Sequence, residues 1–296
     1  MRNYVVGDNL AKKLALSLKW PYLAVQERVF LDGELQPKLA FEPKIKKAIL
    51  LYQKKTGENI NSYLVKYLFL ARKLQDLSKE IIGIMPYFPY MRQDSIFREG
   101  EPLSSLYIAE LLSKYLDVFI TVGAHEHRKH LYDLFKIPSY NVVPYGVLGD
   151  YLKKVLPNDT KKMIVVGPDQ EAANYVKAFC STFPLPYIVL QKQRHIKTGK
   201  IKFAALPNTL FQDKIAIIVD DIVSSGGTIS EVGKLIKRQG ASKIIFAFIH
   251  TILGDQSVRS LQKLKPFKII TTNTIENSFY SIEITKLLTK TVKELI

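Results

Sequence analysis

Short β-branched apolar runs alternate along the chain with longer segments whose apolar residues recur every three or four positions. In the first half the runs KAILLYQ (47–53), EIIGIMPYF (80–88) and DVFITVG (117–123) read as buried strands. The segments SYLVKYLFLARKLQDL (62–77) and SSLYIAELLSKYL (104–116) carry the helical period between them. The second half repeats the alternation with KKMIVVG (161–167), KIAIIVDD (214–221), KIIFAFIHT (243–251) and KIITTN (268–273). Strands alternating with helices in this way predict an α/β fold, a mostly parallel sheet flanked by helices in each half. Pro144, Tyr145 and Gly146 precede a helix-like GDYLKKVL (149–156), and the turn Pro157-Asn158-Asp159 precedes a fresh strand. The expected division is therefore a domain over 1–148 and a second over 149–296.

The length of 296 residues, 47% hydrophobic and 24% charged, suits two globular units of roughly 150 residues each and excludes disordered and fibrous classes. Cys180 is the single cysteine, which rules out an intrachain disulfide and a Cys-rich zinc site and fits a reducing compartment, so a cytoplasmic location is expected. No apolar run approaches the roughly 18 residues of a spanning helix, and no membrane role is expected. Forty-three Lys and Arg against 27 Asp and Glu leave a net charge of +16, which favours anionic partners. The excess is scattered lysine, among them Lys12, Lys13, Lys161 and Lys162, with no Arg-rich tract, so a solvated basic surface is favoured over a nucleic-acid footprint.

The sharpest chemical signal is IAIIVDDIVSSGGTI (215–229), a buried strand that ends in Asp220 and Asp221 and turns through small residues into a helix. Ligands of open α/β sheets bind at the carboxyl ends of strands. There Ser224, Ser225, Gly226, Gly227 and Thr228 can turn successive amides toward one phosphate, and the paired acids can accept hydrogen bonds from sugar hydroxyls. Neither a P-loop lysine nor a dinucleotide glycine pattern is present. The segment 194–211, with Arg194, His195, Lys197, Lys200 and Lys202, has no period of its own and reads as a cationic lid over an anionic ligand.

VDDIVSSGGTI resembles the phosphoribosyl-pyrophosphate loop of type I phosphoribosyltransferases and of ribose-phosphate pyrophosphokinases. Phe30-Leu31-Asp32-Gly33-Glu34 and PYFPYMRQD (86–94) are similar to elements that only the pyrophosphokinases carry. His125, the Gly167-Pro168-Asp169 turn, Lys192-Gln193-Arg194 and TNTI (272–275) follow in that family's order, so the resemblance spans the chain. It implies two tandem type I phosphoribosyltransferase-like domains and transfer of the β,γ-pyrophosphoryl group of MgATP to ribose 5-phosphate. It further implies that Arg92, Gln93, Asp94 and His125 hold ATP, and that Phe30, Asp32, Gly33 and Glu34 reach the site of a neighbouring subunit. A homo-oligomer, a dimer or hexamer with a shared ATP site, follows. Lys192 and Arg194 are the implied catalytic cations. The resemblance likewise implies that Asp220, Asp221, Ser224, Ser225, Gly226, Gly227 and Thr228 hold ribose 5-phosphate, and that His125 and Asp169 bind Mg2+.

Several positions depart from the common family pattern. Gly123 stands where an acid precedes the histidine, Lys136 and Tyr140 fall near further acids, Ser224-Ser225 replace Asp-Thr, and Glu171-Ala172 replace a glycine pair. These changes suggest a divergent member and leave three alternatives: a catalytically weak nucleotide-binding regulator, a phosphoribosyltransferase, and a nucleic-acid-associated variant.

Overall fold

A computed structural model describes every residue except 157–158, 195–200, 205, 208, 225, 253–254 and 278. The chain forms two compact units. The first comprises Met1–Val143, Thr274–Glu276 and Glu283–Ile296, the second Pro144–Asn273 and Asn277–Ile282.

The first unit holds a seven-stranded sheet in the order Leu35–Leu39, Tyr22–Val29, Arg2–Gly7, Ile45–Leu51, Ser78–Met85, Val118–Val122, Ser139–Val142. All neighbours are parallel except the first pair, an antiparallel hairpin. The central strands are covered on both faces, which is why they read as unbroken apolar runs. Ala48 and Leu50 face Tyr63, Tyr67, Leu70 and Leu74 of helix Ile60–Gln75, whereas the intervening Ile49 and Leu51 face the helices Asn9–Leu18 and Thr285–Leu295.

The second unit holds a six-stranded, wholly parallel sheet in the order Tyr187–Val189, Met163–Gly167, Ile215–Val223, Lys243–Thr251, Lys268–Thr272, Tyr280–Ile282. Ile217 and Val219 pack toward the helices Tyr145–Val155 and Ala173–Thr182. Ala216 and Ile218 pack toward Gly227–Arg238 and Asp255–Gln262.

The two units differ from a simple cut at 148/149. Leu148 and Leu152 lie in one core with the sheet of the second unit, so the whole helix Tyr145–Val155 belongs there. The last helix returns to the first unit because Ile284, Leu288 and Val292 pack with Leu10, Leu14 and Leu18. The segment read as a lid, 194–211, begins in regular structure, since Lys192–Arg194 pairs antiparallel with Ile201–Phe203. His195, Lys197 and Lys200 lie outside the described residues. Among the described residues no helix is long and apolar enough to cross a membrane.

Candidate active site

In the second unit the carboxyl ends of two adjacent parallel strands carry the acids. Met163–Gly167 leads to Asp169, and its neighbour Ile215–Val223 contains Asp220 and Asp221. Helix Gly227–Arg238 follows at once, and its N-cap Gly226 sits at φ +68°, a left-handed conformation that a side chain strains. No described side chain caps this helix, so its first-turn amides remain oriented toward an incoming anion. Thr228 stands in that first turn, Ser224 is partly buried, and Ser225 lies outside the described residues.

Lys192 joins these elements. Its Nζ donates to Asp169 Oδ2 at 3.1 Å and to Thr228 Oγ1 at 3.2 Å, with the Lys192 and Asp169 side chains 23% and 24% exposed. Residues far apart in sequence thus meet at one partly desolvated ammonium. Asp169 is pinned in turn, because its Oδ1 accepts from Glu171 N at 3.2 Å. The Glu171-Ala172 replacement is accommodated because Gln170–Ala172 form a single 3-10 turn leading into helix Ala173–Thr182, a conformation that needs no glycine. Arg194 lies on the same short strand as Lys192, and its side chain is outside the described residues.

Asp220 Oδ1 accepts from Asp221 N at 3.0 Å, and Asp221, 2% exposed, accepts from Ile222 N at 2.7 Å. Burial, then the charges of Asp221 and Asp169, push the Asp220 carboxyl well above the usual carboxylate range. Asp169, Asp220 and Asp221 thus lie near enough to interact, with the Lys192 ammonium paired to Asp169. Such a cluster of acceptors suits a ligand that brings hydrogen-bond donors, such as hydroxyl groups. A hard divalent cation fits the oxygens of Asp169 and Asp220, provided that substrate oxygens and water complete its shell. Among the described residues no three His, Cys, Asp or Glu side chains are grouped to hold a metal by themselves.

Beneath this site lies a residue that sequence reasoning missed. Tyr145 is 3% exposed, stacks on Tyr175, and its hydroxyl has no hydrogen-bond partner among the described residues. Burial, followed by the charges of Asp221, Tyr175 and Asp220, raises the Tyr145 phenol well above its usual range.

In the first unit the neighbouring strands Ser78–Met85 and Val118–Val122 deliver the turn 92–94 and His125 to one edge of the sheet. Arg92 and Gln93 are exposed there. Asp94 is fully buried and accepts from Arg128 N at 3.0 Å and from Arg128 Nη1 at 3.2 Å, so it clamps the two loops to each other. The Arg128 guanidinium also lies 5.1 Å over the Phe97 ring. Nothing in the sequence singled out Arg128, which stands in an exposed basic stretch. His125 is partly buried with its ring centroid 6.2 Å from that of His127, whereas His130 forms a capping box on helix Leu131–Leu134. Gly123 has φ +58°, so the acid expected there would be strained; Lys136 pairs with Glu110 at 3.0 Å, and Tyr140 is exposed.

Phe30, Asp32, Gly33 and Glu34 form the tip of the hairpin. Phe30 N donates to Glu34 O at 2.9 Å, Glu34 N donates to Asp32 Oδ1 at 3.1 Å, and Gly33 takes φ +94°. Phe30 lies under the Arg28 guanidinium at 4.5 Å, and Leu31 beside it is fully exposed. The hairpin strand stands three places along the sheet from the strand that carries Arg92, about 14 Å at ordinary strand spacing.

Residues 6–115 match the N-terminal domain of ribose phosphate pyrophosphokinase, and residues 145–284 match the phosphoribosyl transferase domain. The chain belongs to the ribose-phosphate pyrophosphokinase family. Relatives in that family include the ribose-phosphate pyrophosphokinases of Sulfurisphaera tokodaii, 29% identical over 91% of this chain and 89% of its own, and of Methanopyrus kandleri, 27% identical over 98% and 97%. The crystal structure of phosphoribosylpyrophosphate synthetase from Mycobacterium smegmatis has the same fold, with a TM-score of 0.85, 24% identity, and coverage of 100% of this chain and 99% of that one. As in this pyrophosphokinase family, the chain is an enzyme of two phosphoribosyltransferase-type domains. Because the first unit matches the pyrophosphokinase domain, a free-standing phosphoribosyltransferase is disfavoured.

Proposed function

We propose that the protein is a ribose-phosphate pyrophosphokinase that uses ATP and ribose 5-phosphate and releases phosphoribosyl pyrophosphate and AMP. The anomeric oxygen of the sugar bonds to the β-phosphorus, the bond from that phosphorus to the α,β-bridging oxygen breaks, and AMP departs with the bridging oxygen. The assembled Lys192, Asp169 and Thr228 carry this reading. The amides after Gly226, with Ser224 and Thr228, receive the 5-phosphate, and Asp220 with Asp221 accepts from the ribose hydroxyls. Lys192, with Arg194 from the same strand, neutralises charge on the transferring phosphates. Arg92, Gln93 and His125 contact ATP, while Asp94 holds their loops in register through Arg128.

Mg2+, held by Asp169 and Asp220 together with phosphate oxygens, supplies charge neutralisation when bound. Its assignment to His125 has less support, since an imidazole is a softer ligand than this cation favours. The exposed apolar hairpin tip and its distance along the sheet from Arg92 support an ATP site shared between copies, hence a homo-oligomer. Cys180, unpaired, and the nucleotide substrates fit the cytoplasm. Nucleic acid is not required as a partner.

The test is chromatographic separation of nucleotides after incubation of the purified protein with ATP, ribose 5-phosphate and Mg2+. AMP is expected to form only when all three are present and to cease on chelation with EDTA. Formation of ADP, or no conversion at all, would overturn the reading.

A further inference from the structure

The strand Tyr22–Val29 is paired with Arg2–Gly7 only through Tyr22, Leu23 and Ala24. From Val25 to Leu39 the hairpin has no strand partner but itself, and such a two-stranded arm has little stiffness of its own. Gln26 through Glu34 are exposed, and the arm packs on the core only at its base, through Leu23, Leu39 and the half-buried Val25. Beyond that base a buried ammonium ties it down. Lys66, 2% exposed on helix Ile60–Gln75, donates to Glu27 Oε2 at 2.9 Å and to Glu58 Oε1 at 2.5 Å, and its Nζ lies 4.6 Å over the Tyr52 ring.

Glu27 is bound a second time by Lys55 Nζ at 3.0 Å, and Glu58 Oε2 accepts from Lys55 N at 2.9 Å. Burial raises the Glu27 carboxyl, but the hydrogen bonds from Lys66 and Lys55 outweigh it and hold the group below its usual range. Glu58, close in sequence, already supplies a counter-charge for Lys66. The bond to Glu27 spans 39 residues and joins the helix to the exposed part of the arm. Glu27 stands three residues before Phe30, about 10 Å along the strand, so a small change of angle at Glu27 moves the tip appreciably.

We propose that Glu27 and Lys66 are positioning residues for the nucleotide: their ion pair aims the arm so that Phe30, Asp32 and Glu34 meet ATP held by a second copy of this chain. The inference rests on the reading of the hairpin tip as an ATP contact.

The experiment is a double-mutant cycle on the assembled enzyme with Phe30→Ala, Glu27→Ala and the two combined, and Glu27→Gln as a variant that keeps the side chain's shape. Phe30→Ala is expected to raise KM for ATP about tenfold through loss of stacking on the base. Glu27→Ala and Glu27→Gln are expected to raise KM for ATP several-fold, with kcat and KM for ribose 5-phosphate unchanged. The combined variant is expected to be no worse than Phe30→Ala alone, because Glu27 acts through the tip. If Phe30→Ala raises KM and Glu27→Ala does not, or if the two effects multiply, the positioning role is overturned. If Phe30→Ala leaves KM for ATP unchanged, the reading of the tip fails and takes the inference with it.

Discussion

Lys192→Ala is expected to lower kcat by about a thousandfold while changing KM for either substrate only a few-fold, the cost of removing one preorganised charge from a transferring phosphoryl group. The ammonium is already held by Asp169 and Thr228, so no reorganisation is needed for it to face charge as it develops. The substitution also leaves Asp169 without its cation, which makes the site more repulsive toward phosphates at the moment of transfer. Single-turnover measurement of AMP formation isolates that step. A loss of less than tenfold would show that Lys192 is not at the reacting centre, and a protein with no turnover to lose would be the nucleotide-binding regulator weighed as an alternative.

Asp220→Asn is expected to act in opposite directions on stability and activity. The Asp220 carboxyl is raised by burial and by Asp221 and Asp169, so in the folded, ligand-free protein it holds its proton above the pH at which the unfolded chain loses it. Below the unfolded value, near pH 4, both states are protonated and the group costs nothing. As pH rises from there toward the raised folded value, folding loses stability, and the penalty persists at higher pH. The asparagine variant is therefore expected to melt at a higher temperature than the native protein at pH 7.5, with the difference shrinking toward pH 4. Its activity is expected to fall about a hundredfold, because an acceptor for the sugar hydroxyls and an oxygen for the cation are lost together. A variant that melts lower at pH 7.5, or that keeps full activity, would contradict this picture of the site.

How much was legible before the structure varied with burial. Ile215–Val219, covered on both faces, is an unbroken apolar run, and so are Met163–Val166 and Lys243–His250 apart from their ends; such strands announce themselves. The hairpin Tyr22–Leu39 was not visible as strands because most of its residues are exposed and polar and neither face is buried continuously. The return of helix Thr285–Leu295 to the first unit depends on packing with Leu10 and Leu14, a pairing no local pattern encodes. In the candidate site, the motif turn at Asp220 to Thr228 was readable from its own residues. The union of Lys192, Asp169 and Thr228 was reached only through the order of family motifs, since the fold and not the spacing brings them together. Asp94 was expected to face ATP and is instead buried against Arg128, a partner 34 residues away. Lys66 did leave a trace: it occupies the same helix face as the buried Tyr63, Tyr67 and Leu70, where an unpaired charge would be untenable.

The most direct test of the account is to follow the reaction by 31P NMR with ATP, ribose 5-phosphate and Mg2+. The account predicts that the 5-phosphate monoester is retained, that an AMP monoester appears, and that a diphosphate bonded to the sugar's anomeric carbon grows in equal amount. ADP with a second phosphate monoester on the sugar, or free pyrophosphate with AMP and unchanged sugar, would contradict attack of the anomeric oxygen on the middle phosphorus.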